Sequence, residues 1–147
     1  MTRATVATSA PALPQLSTTA LTPAYQAYEI LHVWFVVLPI AAGLDKFIHF
    51  LGIGSWEMYL CPLATRVTGL EATTFMHIVG VIEVIAGILV AFWPRVGGYI
   101  VMLWLWGIIV NLFLIPGFFD VALRDFGLSL GAIALARLSE EYGRPIH

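Results

Sequence analysis

Two apolar runs stand almost back to back in this chain, 74–93 and 96–115, with Pro94-Arg95 between them. Glu83 is the one charged residue of the first run, and the second holds none. Each run reaches about 18–20 residues, enough to cross roughly 30 Å of hydrocarbon at 1.5 Å per residue. A connection this short leaves two such helices only an antiparallel arrangement. Composition says the same of the whole chain. Of 147 residues, 60 % are hydrophobic and 11 % charged, against roughly 45–50 % and 25 % in a soluble domain. A chain of this length has no soluble core that could hide so much apolar surface, so lipid is the implied solvent.

Two further spans complete the pattern. The segment 25–50 contains the run 30–44, interrupted only by His32, and ends in Asp45-Lys46-Phe47-Ile48-His49-Phe50. Pro39 is expected to bend it, since proline removes one backbone bond and crowds the preceding turn. The segment 120–138 is more polar, with Arg124-Asp125 near its start, and Pro116-Gly117 separates it from the third span. The expected fold is all-α: a membrane-embedded antiparallel four-helix bundle, up-down-up-down, with spans at 25–50, 74–93, 96–115 and 120–138. Gly80, Gly87, Gly127 and Gly131 recur at helical spacing, which lets helix backbones approach closely. The Ala/Thr/Ser/Pro-rich 1–23 reads as a disordered tail and lacks the continuous apolar stretch of a signal peptide. The connection 51–73 is too polar to span, and Trp56, Met58, Tyr59 and Leu60 suggest a short segment lying at the interface. Residues 140–147 read as a polar tail.

Charge sets the expected orientation. Four spans place both termini on one side, with Arg3, Arg95, Arg137 and Arg144. Arg66 lies on the other side, and Lys46 and Arg124 sit partly within the membrane. The positive-inside rule then puts both termini in the cytoplasm, and a bacterial inner membrane is the expected location. A net charge of −2 with seven scattered basic residues forms no basic patch and argues against a nucleic-acid partner. Cys61 is the only cysteine. It excludes an intrachain disulfide, a C-x-x-C redox pair and a thiolate metal site, and reads as a packing residue.

Depth locates the candidate site. Asp45 and Lys46 lie about 6–8 Å inside the end of the first span, and Glu83 about 13 Å down the second, with His77 near its mouth. Asn111 sits about 7 Å inside the end of the third span, and Arg124 and Asp125 lie at a similar depth in the fourth. Every span thus sends a polar or ionisable group into the same half of the bilayer. The other half holds Glu29 and His32 near an entrance and is otherwise apolar. Charges at depth cost about 2.5–3.5 kcal/mol each on insertion scales, so they should face inward and pair. Asp45, Lys46 and His49 share one side of the first span. Gly80, Glu83 and Gly87 share a face of the second, and Arg124, Gly127 and Gly131 a face of the fourth, which makes Glu83–Arg124 a candidate buried pair. His49 and His77 lie near one surface on neighbouring helices, too shallow for the ligands of a buried haem; neither haem nor metal is expected. Trp104, Trp106 and Phe113 are expected to face lipid or a partner subunit.

The patterns Gly43-Leu44-Asp45-Lys46-Phe47 and Gly80-Val81-Ile82-Glu83-Val84-Ile85-Ala86-Gly87-Ile88-Leu89, with the Pro94-Arg95 turn and the Arg124-Asp125 opening of the last span, resemble the DoxX-like superfamily of small four-helix membrane proteins. The resemblance covers roughly 25–138. It implies the same fold, and an accessory or quinone-contacting role in a membrane redox complex, with quinone as the candidate cofactor and protein subunits or further copies of the chain as candidate partners. Three readings follow. The first is such a subunit, its cluster being either a polar pocket or an ion-pair network that fixes helix register. The second is a proton or solute transporter relaying through Asp45, Glu83 and Asp125. The third, an enzyme acting alone on a lipid-soluble substrate, has no nucleophile, metal constellation or nucleotide loop behind it.

Overall fold

The computed structural model describes residues 22–52 and 54–143. Apart from Thr22 and Pro23 the expected disordered tail lies outside the described residues, as do Arg3 and Arg144. Among the described residues the chain is all-helical: α1 (Pro23–Ile48), a 3-10 turn (Trp56–Tyr59), α2 (Pro62–Thr68), α3 (Ala72–Phe92), α4 (Pro94–Phe113) and α5 (Phe119–Tyr142). Of these, α1, α3 and α4 are long and apolar enough to cross a membrane. The chain is therefore a helical protein with the character of a membrane protein. Although α5 is 24 residues long, it carries Asp120, Arg124, Asp125, Arg137, Glu140 and Glu141 and falls short of the other three in apolarity.

Several boundaries differ from the sequence expectation, each for a local reason. Thr22 caps α1 by accepting the Tyr25 N–H at 3.2 Å, and Pro23 takes the first helical position, where its missing N–H costs nothing. The helix runs unbroken through Pro39. It stops at His49, which adopts the left-handed conformation (φ 51°) and donates its N–H to Asp45 O. Pro94 opens α4 rather than closing α3, again as a first-turn proline. At the other end α5 continues to Tyr142, so residues 140–142 of the expected polar tail are helical, while 144–147 lie outside the described residues. Glu140 there meets Arg137 at 2.9 Å and Arg95 at 3.5 Å.

The long helices pair closely through small residues. A Cβ on Gly43 would stand 2.5 Å from Gly80 O, and one on Gly80 would stand 2.7 Å from Gly43 O. The backbones of α1 and α3 therefore touch where only glycine fits. Further along the same antiparallel seam Gly87 sits against Val36 and Ile40, while Gly98 of α4 packs on Ala132 and Ala136 of α5. Gly131 faces the Phe35 ring, which joins α5 to α1. Gly127 has open space beside it: the expected close-packed face Arg124, Gly127, Gly131 does not exist, because Gly131 turns inward and the other two do not. Between these seams Tyr28, Phe35, Ala86, Val90, Val101, Leu105, Ala132 and Leu135 form the main core. At the end shared by the start of α1 and the finish of α5, the Tyr142 ring meets Tyr25 edge-on and Tyr28 at a tilt.

Candidate functional site

Opposite that aromatic end, where α1 finishes and α3 begins, four charged side chains are almost wholly withdrawn from the surface. Asp45 is 0 % exposed, Lys46 4 %, Glu83 8 % and Asp125 4 %. Lys46 Nζ donates to Glu83 Oε2 at 2.5 Å, with only 2 % and 10 % of the two side chains accessible. The Gly43–Gly80 contact, one turn away on each helix, sets this geometry by bringing the two backbones close enough for the pair to lie inside the seam. Lys46 Nζ also reaches Ala42 O at 3.4 Å. The Trp56 ring covers the ammonium, its centroid 3.9 Å from Nζ, a cation–π contact worth about 2 kcal/mol or more when desolvated.

The same tryptophan holds the neighbouring carboxylate. Trp56 Nε1 donates to Asp45 Oδ2 at 2.7 Å and the Leu51 N–H to Oδ1 at 2.5 Å, so both Asp45 oxygens are engaged. The segment carrying Trp56 is itself tied down at two more points. Glu57 accepts from Ser55 Oγ at 2.5 Å and from Thr73 Oγ1 at 3.0 Å, and these hydroxyls, with Glu57's own N–H, hold its carboxyl below the usual carboxylate range, Ser55 contributing most. Asn111 of α4 accepts the Cys61 N–H at 2.9 Å and donates to Tyr59 O at 2.6 Å. The connection after α1 is thus a fitted cover over the ion pair. It is built of a 3-10 turn and a short helix where the sequence suggested one interfacial segment.

On the far side of Glu83 stand Trp104 of α4 and Asp125 of α5, both close enough to act on its carboxylate. Trp104 turns its indole inward: Nε1 is buried and meets no acceptor in hydrogen-bonding geometry. A buried, unsatisfied donor costs about 1–3 kcal/mol. The expectation that Trp104 faces outward with Trp106 and Phe113 is corrected for Trp104 alone, since the other two are exposed.

The eight residues singled out by sequence divide evenly. Asp45, Lys46, Glu83 and Asp125 come together. Arg124 does not join them: its side chain is 66 % exposed and its partner is Asp125, at 3.0 Å. The anticipated Glu83–Arg124 pair is therefore replaced by Lys46–Glu83, because α1, not α5, shares the glycine seam with α3. His49 is exposed beyond the end of α1 and leaves the face it was expected to share with Asp45 and Lys46. His77 stacks on Phe47, centroids 4.8 Å apart, and Asn111 braces the cover. Among the described residues no group of three or more His, Cys, Asp or Glu is arranged to hold a metal ion. Sequence reasoning missed Trp56 and Trp104 as parts of the site. The signal was present in a lysine within an apolar helix accompanied by aromatic residues able to cover its ammonium. No family model, curated protein or solved structure matches this chain.

Proposed function

We propose that the chain is an integral membrane protein whose four long helices all cross the bilayer, α5 included, and that it serves as an accessory, quinone-contacting subunit of a membrane redox complex. On this reading it is a DoxX-like protein with both termini in the cytoplasm. The observation that carries it is the buried Lys46–Glu83 pair, set at one end of the helices and covered by Trp56 on one side and Trp104 on the other. Ionisable groups kept at membrane depth mark ligand or ion pathways by default. Here they stop short of the other end, where the helices close on Phe35, Val90, Val101, Leu105 and Leu135. A dry apolar core of that kind carries no water chain, so the cluster opens to one half of the membrane. One-sided polarity suits a small polar head group on a lipid-soluble molecule better than a transported ion. The Glu83 carboxylate supplies hydrogen-bond acceptors and the Lys46 ammonium supplies donors.

The test is purification from the native membrane in mild detergent, followed by identification of co-purifying proteins and extracted quinone. Retention of a partner subunit or quinone supports the reading. Reconstituted alone in liposomes, the protein should conduct protons no faster than empty vesicles. Proton flux abolished by Glu83→Gln would replace this reading with the transporter.

A further inference from the structure

The cover over the Lys46–Glu83 pair, Ser55–Cys61, is fastened unequally at its two ends. The far end is built in. There the Tyr59 ring packs on Ile109, Leu112 and Ala122 and meets Phe118 edge-on, centroids 5.1 Å apart. Asn111 bonds Tyr59 O and the Cys61 N–H, and Cys61 is itself buried. The near end is held to the helices by side-chain contacts. Trp56 sits on Lys46 and donates to Asp45, and Glu57 accepts from Thr73, an exposed residue of α3. No residue of the Trp56–Tyr59 turn is buried. Just before it, Gly54 stands in the left-handed conformation (φ 83°), with nothing within 4 Å of where a Cβ would be. The helices beneath, by contrast, meet backbone to backbone at Gly43 and Gly80. A segment with few buried apolar contacts and exposed hydrogen bonds opens at a much lower free energy than a packed core. The Trp56 end of the cover is therefore the weakest closure over the pair.

We propose that Trp56 is the latch of a lid: the near end of the cover swings away about its Tyr59–Cys61 anchor and opens the Lys46–Glu83 pair to water, while the α1–α3 seam stays shut. One side chain serves both neighbouring charges. When Trp56 leaves, the Lys46 ammonium loses its covering ring and Asp45 loses one donor in the same movement, and water replaces both. Asp45 keeps the Leu51 N–H on its other oxygen, so the end of α1 does not come apart with the lid. The lid is independent of the quinone-contacting reading, since it concerns how the pair meets water and not what the pair holds.

The experiment acetylates the purified full chain in mild detergent with a water-soluble amine-reactive ester. Lys46 is the only lysine of the sequence, so mass spectrometry of the peptide that carries it reads this one side chain. Amide hydrogen exchange of α3 in the same samples reports opening of the helices. In the unaltered protein Lys46 should react far more slowly than a free lysine, yet be about 10-fold or more less protected than the best-protected α3 amides. Trp56→Ala should speed acetylation by about 100-fold. Thr73→Val, a change at an exposed position that leaves Trp56 in place, should speed it by about 5-fold. In both variants α3 should keep its protection. Protection of Lys46 equal to that of α3 in the unaltered protein would mean that the pair is reached only by unfolding, which overturns the lid. Acetylation at the unaltered rate in both variants would overturn it too. Should Trp56→Ala also strip protection from α3, Thr73→Val decides: faster acetylation over an intact α3 supports the lid, and an unchanged rate overturns it.

Discussion

Glu83 is the residue on which the cluster turns, because three different helices address its carboxylate. Lys46 donates to it from α1, Trp104 approaches it from α4 and Asp125 acts on it from α5. Replacing it with leucine strands the Lys46 ammonium in a space 4 % accessible. Breaking a buried pair in this way costs about 3–5 kcal/mol. Glu83→Leu should therefore lower the melting temperature in detergent sharply, and Glu83→Gln should fall between it and the unaltered protein, since the amide still accepts from Lys46. A Glu83→Leu protein that melts normally would mean that Lys46 finds another partner. The glycines offer a second contrast. Gly43→Ala drives a methyl group into Gly80 O and should destabilise by about 1–3 kcal/mol through forced helix separation. Gly127→Ala meets open space and should be neutral or stabilising by up to about 1 kcal/mol from helix propensity. Parallel melts of the two variants check the pair, and equal effects would refute the close seam.

At the scale of elements, the Ser55–Cys61 cover depends on Glu57. Its carboxyl is held below the ordinary range mainly by the Ser55 hydroxyl, with Thr73 adding to it. A depressed folded-state value means that the stabilisation is present above the unfolded-state value and is lost as pH falls through the folded one. The cover should therefore be fully held at neutral pH, begin to weaken as pH falls into the usual carboxylate range, and be released below the depressed value of Glu57. Amide exchange of residues 56–61 against pH reads this directly, and Glu57→Gln should flatten the profile. The long helices were legible in sequence because lipid-length apolar runs punctuated by Pro94 and Pro116 admit few other arrangements. The gathering of Asp45, Lys46, Glu83 and Asp125 towards one end of the helices was legible for the same reason, since 1.5 Å per residue converts sequence position into height along a helix. Their pairing was not. Both Gly80 and Gly131 advertise a close seam, and sequence does not say that Gly43 is the partner of Gly80. The inward turn of Trp104 depends on which face of α4 meets α3, and α4 is apolar on every side. The cover escaped notice because its anchors are isolated hydrogen bonds, accepted by Asp45, donated by Thr73 and shared in both directions by Asn111, residues far apart in the chain.

For the whole molecule, charge is distributed by end. Arg95, Arg137 and Glu140 interlock where α3 turns into α4 and α5 finishes, while Asp45, Lys46 and Glu83 gather at the other end of the helices. With α5 spanning, reporters fused to either terminus should read cytoplasmic and one inserted beside Arg66 should read exported. Termini on opposite sides would remove α5 from the membrane, and a full inversion would defeat only the positive-inside assignment.

The ion pair also has a history within each molecule. Its partners are 37 residues apart in the chain, so during synthesis at 5–20 residues per second Lys46 leaves the ribosome about 2–7 s before Glu83. For that interval α1 offers the membrane a helix with an uncompensated cation near its end. Only the arrival of α3, docking backbone to backbone at Gly43 and Gly80, neutralises it. Secure residence of the first helix in the bilayer is thereby made conditional on the second, and a nascent chain cut short before Glu83 carries an exposed mark of its own incompleteness.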